Sequence, residues 1–136
     1  METLRYAVVV GLSVVLTSCA SGPTPEQIAA ADYGLEMTPE RCVEVAQPVL
    51  ADHLRDPGSA QFRHNSCYQG WWGSVPLLSM PVVFGYIQEG EVNGKNAYGG
   101  YVGFKPYRAL VKNGFVIRYC ITDNDGLCMP TDPRAR

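Results

Sequence analysis

The sequence predicts an α+β domain: one N-terminal helix packed on a four-stranded antiparallel meander, stapled by two disulfides. Three features carry that expectation. Only one stretch, from Cys42 to Leu54, has apolar residues at helical spacing, and strand-like stretches follow it. Asn113-Gly114 sits between two alternating apolar runs, the strongest short-range signal for a hairpin with a type I′ turn. Beyond residue 19, the cysteines form an even set: Cys42, Cys67, Cys120 and Cys128.

The first 18 residues read as an export signal. Residues 6–16 are almost uninterruptedly apolar, Arg5 precedes them, and small residues close the run. The run falls short of the roughly 20 apolar residues that a membrane span needs. Its ending, Leu16-Thr17-Ser18-Cys19, resembles the lipobox of bacterial lipoproteins. That resemblance implies cleavage before Cys19, acylation of its thiol and attachment to a membrane. It also disposes of the odd fifth cysteine, a liability in an oxidising compartment. Ala20 and Ser21 follow with no acidic residue. By analogy with enterobacterial lipoproteins, where Asp at that place retains the protein in the inner membrane, the expected location is the outer membrane.

Residues 19–37, with Pro23, Pro25 and small side chains, read as a flexible tether holding at most a brief helical turn in 28–33. Residues 38–130 form the expected domain and 131–136 a tail, a length that supports one domain and not two. Net charge is −2 with no basic run, so no nucleic-acid partner is expected.

Thr38-Pro39-Glu40 starts the helix as cap, first-turn proline and dipole-complementing acid. Cys42, Val45, Ala46, Val49, Leu50 and Leu54 make one stripe. Pro48 should kink or split it, and Asp56-Pro57-Gly58 ends it. The strands are expected at about 60–68, 81–92, 101–112 and 115–121. A two-residue turn would pair Lys112 with Phe115 and Leu110 with Ile117. Phe115, Ile117, Tyr119 and Ile121 would then share the helix-covered face with Leu110, Phe104 and Val102. Pro106 should mark a bulge or an unpaired side of its strand. This topology puts Cys42 and Cys67 at one end and Cys120 near the tail, which predicts Cys42–Cys67 and Cys120–Cys128. A zinc site would want a Cys-x₂-Cys pair, and there is none.

Two runs, from Leu54-Arg55-Asp56-Pro57 to Phe62-Arg63 and from Gly90-Glu91-Val92-Asn93 to Gly103-Phe104, carry a resemblance. They are similar to "L-x-D-P-x-S-A-x-F-R" and "G-x-V-N-x-K-N-x-Y-G-G-Y-x-G-F" patterns. Both recur in a broad set of small, exported, mostly uncharacterised bacterial proteins and lipoproteins. The resemblance spans roughly residues 40–120 and implies an envelope location. It brings no catalytic residue, ligand or disulfide pattern: where such sequences often have a Cys, this one has Glu89-Gly90-Glu91.

Two surfaces are candidates for partner binding. The segment from Asn93 to Gly100 reads as the turn joining strands two and three, since Asn and Gly accept left-handed backbone. Either it only specifies that turn, or Asn93, Lys95, Asn96, Tyr98 and Tyr101 face a partner. Trp71-Trp72, between Gly70 and Gly73, reads as a glycine-rich loop that offers a stacking platform, a membrane-interface anchor or one Trp folded onto the core. Leu77, Leu78 and Met80 extend it.

Enzyme chemistry is sparse. His53 sits at the edge of the helix stripe and His64 in a strand beside Arg63, neither with a recognisable Ser or Cys partner. Glu89 and Glu91 share a strand face, an arrangement that an exposed strand explains. Asp123-Asn124-Asp125-Gly126 fails the calcium-loop register and reads as a tight turn. The expectation is a non-enzymatic envelope lipoprotein without metal or cofactor, bound to an envelope protein or peptidoglycan. The alternatives are an inhibitor of an exported hydrolase such as a lysozyme, or an enzyme using a buried or cleft-bound pair among His53, His64, Glu89 and Glu91. On the binding reading, the Trp71-Trp72 and 93–101 surfaces are expected to be exposed and to lie near one another or form one patch.

Overall fold

A computed structural model describes residues 22–74 and 79–133. The export signal, Cys19, Leu77 and Leu78 lie outside the described residues. The elements in chain order are α1 (Pro25–Ala29), α2 (Pro39–Asp52), a 3₁₀ turn (Pro57–Ser59), β1 (Gln61–Trp72), β2 (Val83–Asn93), β3 (Lys105–Lys112) and β4 (Phe115–Ile121). The strands form one antiparallel sheet in the order β1-β2-β3-β4.

Thr38 caps α2 by accepting from the Arg41 amide at 3.3 Å. Cys42, Ala46 and Leu50 are wholly buried, with Val45, Val49 and Leu54 packed beside them. Pro48 does not split the helix, which is continuous to Asp52. The proline lies on the exposed side, so packing of the opposite face holds the turn whose donor it removes.

β1 extends to Trp72, past the expected end near residue 68, and Trp71-Trp72 is therefore strand and not loop. Gly70 faces Gly85, and a Cβ on Gly70 would lie 2.8 Å from Ile87 Cγ1. The glycine that reads as a loop signal instead makes room for a core side chain. β3 starts at Lys105, later than expected. Pro106 donates nothing, but its carbonyl accepts from Thr122, just beyond β4, so the missing donor faces the point where the ladder has ended.

The β3–β4 hairpin corrects the expected register. Lys112 pairs with Phe115 and Val111 with Val116, but Leu110 then pairs with Arg118. One residue has been slipped in, a bulge that moves side chains to the other face. Phe115 is left 70% exposed. Tyr86, Val92, Tyr107, Ala109, Val111, Val116 and Tyr119 form the core with α2. Leu110 joins Trp72, Ile87 and Cys120 in a second cluster. Val102 is exposed, and Phe104 stacks on Arg63.

Both disulfides form as expected. Cys42–Cys67 (Cα–Cα 6.4 Å) ties the start of α2 to β1, and Cys120–Cys128 (5.3 Å) clips the tail to β4. In the loop-entropy account each stabilises by roughly 2.5–3.5 kcal/mol. The tail continues the ordered structure, because Thr131 exchanges backbone hydrogen bonds with Tyr119.

The segment before α2 is not a free tether along its whole length. Lys112 Nζ reaches the Asp32 carbonyl at 2.6 Å and its carboxylate at 3.2 Å, and Asn113 Oδ1 accepts from the Leu35 amide at 2.9 Å. Tyr33 and Met37 pack on the core, with Tyr33 edge-on to Phe84. Two apolar anchors among small residues are enough to dock the segment on the β3–β4 turn. The helical turn falls at α1, with Thr24 and Gln27 capping each other.

Candidate binding site

The two runs that carry the family resemblance meet. Leu54 fills the space against Gly94, where a Cβ would lie 3.0 Å from Leu54 Cδ1. The Ser59 hydroxyl donates to the Asp56 carbonyl at 2.8 Å and accepts from the Lys95 amide at 2.9 Å. Phe62 pairs with Val92 across the sheet. Arg63 binds the Glu91 carboxylate at 2.8 Å and lies 3.8 Å from the Phe104 ring centroid. Apart from the Ser59–Asp56 bond, each contact joins a residue of one run to a residue of the other, so the two runs form one structural unit.

Within the 93–104 loop, the amides build backbone. Asn93 is buried, and its Oδ1 accepts from the Gly103 amide at 3.0 Å. Asn96 Oδ1 accepts from the Tyr98 and Gly100 amides at 2.9 and 3.1 Å. Gly99 (φ 81°) and Gly103 (φ 101°) take the left-handed conformations that close the loop. Asn93 and Asn96 are thus spent on shape. The side chains free to meet a partner are Tyr98, 96% exposed, together with Tyr101 and Val102. Lys95 Nζ lies 5.5 Å from the Tyr101 ring centroid.

Below this loop is a cavity of about 370 Å³. Leu54, Val92, Val102 and Ile121 give it apolar walls, and Arg55, Lys95, Lys105 and His53 stand around them. The His53 ring contacts Tyr119 edge-on, with Nδ1 at 3.1 Å from the hydroxyl. Asp123 also lines the cavity, but its Oδ1 accepts from the Asp125 and Leu127 amides, both at 2.9 Å, in the expected tight turn. Arg55 and Lys105 carry no individual sequence signal for this role. Only the meeting of the helix end, the loop and the end of β4 creates it.

The tryptophans do not join this surface. Trp72 pairs with Val83 and Trp71 with Phe84 at the start of β2, whereas Asn93 ends it opposite Gln61. Eleven residues of strand put roughly 34 Å between the two ends. The expected single patch does not form. Trp72 is only 7% exposed, under Arg108, whereas Trp71 stays 36% exposed beside Phe84.

Among the four residues weighed for acid–base work, the structure pairs His64 with Glu91. A register shift between Arg63 and Ser66, with His64 at φ 54°, brings Nδ1 within 2.7 Å of the carboxylate. The hydrogen bond from Arg63, then that from His64, holds the Glu91 carboxyl below its ordinary value. The pair lies on open sheet surface, with the His64 side chain 72% exposed, and no cleft encloses it. Glu89 binds Arg108 and accepts from the Tyr68 hydroxyl. Burial pushes the Tyr107 hydroxyl up, and it remains a protonated member of a polar network with Gln88 and Asn65. No group of three or more potential metal ligands occurs among the described residues.

No family model, curated protein or solved structure matches the chain.

Proposed function

We propose that the protein is a non-enzymatic bacterial envelope lipoprotein, anchored in the outer membrane through acylated Cys19, that presents its 93–104 loop to an envelope protein or peptidoglycan. The observation that carries this reading is the separation of entry and loop. Residues 32–35 dock on the β3–β4 turn, and Gly22 lies beside Trp71, a Cβ there being 4.0 Å from Nε1. Cys19 is three residues earlier, at most about 11 Å of extended chain. An acyl anchor there holds the Trp71 end against the bilayer, where an indole suits the headgroup layer. The 93–104 loop then faces away from the membrane. The resemblance of the two runs to an exported family fits the same location.

The test is crosslinking and pulldown from intact envelopes, with Cys19→Ser as the anchor control. Cys19→Ser should leave the membrane fraction. Tyr98→Ala/Tyr101→Ala should lose the specific partner, and Trp71→Ala should retain it. Equal recovery from all variants, or loss with Trp71→Ala alone, rejects the loop as the binding face. A second reading, inhibition of an exported hydrolase such as a lysozyme, is favoured by Tyr98 standing almost fully clear of the domain. It requires that added protein lower the hydrolase rate and that Tyr98→Ala abolish the effect.

A further inference from the structure

The cations of this domain are distributed unevenly with respect to their partners. Arg41 binds Glu44 at 3.0 Å, Arg63 binds Glu91 at 2.8 Å, Arg108 binds Glu89 at 3.1 Å and Lys112 binds Asp32 at 3.2 Å. Arg118 is buried in the field of Asp132. The other lysines and arginines of the described residues are Arg55, Lys95 and Lys105. None of the three has an ion-pair partner among the described residues, and all three line the cavity below the loop.

We infer that this cavity is a binding site for a small amphipathic anion: a short apolar body ending in a carboxylate or phosphate. The inference deepens the binding reading of the loop end by naming the chemistry of what that end receives. Leu54, Val92, Val102 and Ile121 supply apolar contact for the body. Arg55, Lys95 and Lys105 supply three cationic groups for the head, and Arg55 offers the planar fork that matches carboxylate or phosphate. The lining carboxylate, Asp123, already accepts two backbone amides, so the turn compensates part of its charge. At about 370 Å³, the space lies at the lower end of small-ligand sites, about 300–1,000 Å³. Three cations and one carboxylate line this cavity, none of the three cations with an ion-pair partner among the described residues, an arrangement that an anionic ligand would stabilise.

The test is a titration of the ¹⁵N-labelled full chain, followed by NMR, with four probes of one apolar length: hexanoate, hexyl phosphate, hexan-1-ol and hexylammonium. The anions should produce saturable shifts at Lys95, Val102 and Thr122. Hexanol should bind about tenfold more weakly, the value of one hydrogen bond to a charged group, and hexylammonium should not bind. Preference between the two anions separates carboxylate from phosphate ligands. Arg55→Gln/Lys105→Gln removes two of the three cations and should weaken anion binding at least about tenfold with little effect on hexanol. Val102→Asp, which puts a carboxylate on the rim, should abolish it. Equal affinity for anion, alcohol and ammonium, shifts confined to other residues, or no saturable shift from any probe would overturn the inference. The loop variants Tyr98→Ala/Tyr101→Ala keep all three cations, so loss of an envelope partner and loss of the small ligand are read separately.

Discussion

The two ends of β2 are both rich in aromatic residues, yet they are closed in opposite ways. At the start of the strand, Trp71 packs on Phe84, and Trp72 closes over Ile87 and Leu110. Gly70 and Gly85 provide the room: a Cβ on Gly85 would lie 2.6 Å from the Val111 carbonyl oxygen. At the far end, Asn93, Asn96 and Ser59 satisfy backbone amides, and the aromatic side chains are left outside. At the end held by side-chain packing, Trp72 is committed to stability while Trp71 keeps an exposed face. An end held by polar caps has its aromatics available for recognition. Residue type alone does not separate the two cases, because Trp and Tyr serve both.

The comparison can be broken by mutation. Trp72→Ala should cost about 3–5 kcal/mol in thermal or denaturant unfolding, the range for deleting a buried aromatic side chain. A loss below about 1 kcal/mol would mean that the Trp end is not closed by packing. At the other end, Asn93→Ala should cost about 1–3 kcal/mol by leaving a backbone donor without its acceptor, and hydrogen exchange at Gly103 should accelerate. Unchanged Gly103 exchange would remove the polar-cap account.

Acid should act on the sheet between these ends. Because Glu91 has its folded pKa lowered by Arg63 and His64, its contribution is present above the ordinary carboxylate value of 4.5 and is lost as pH falls through the lowered folded value. Melting temperature compared with Glu91→Gln should therefore converge at low pH, and a constant difference would exclude the cluster as a source of acid sensitivity. The smallest effect on stability is expected from Tyr98→Ala, within about 0.5 kcal/mol, despite its effect on partner recovery. A large destabilisation there would make Tyr98 part of the packing.

The helix stripe, the Asn113-Gly114 turn, the tight turn at Asp123 and the cysteine pairing were legible because each depends on local spacing or on which end of a meander a residue occupies. The loop chemistry of Asn93 and Asn96 was legible as one of two alternatives, and the hydrogen bonds favour the structural one for those two residues. The Trp71-Trp72 segment misled because glycine beside it signals a loop, whereas here Gly70 admits Ile87. The hairpin face was right for Tyr119 and Ile121 but wrong for Phe115, Ile117 and Leu110, because a bulge reverses alternation without leaving a mark in the alternation itself.

By itself, the sequence determined the class of the fold, its single long helix, its main turn and its disulfide partners, since periodicity, turn chemistry and cysteine order are local or topological properties. Tertiary structure decided which glycine makes room for a core side chain and which strand face the helix covers. It also decided that residues 32–37 dock and that three cations without an ion-pair partner among the described residues share one cavity. These features depend on register and on contacts between segments tens of residues apart, where a one-residue slip changes every neighbour.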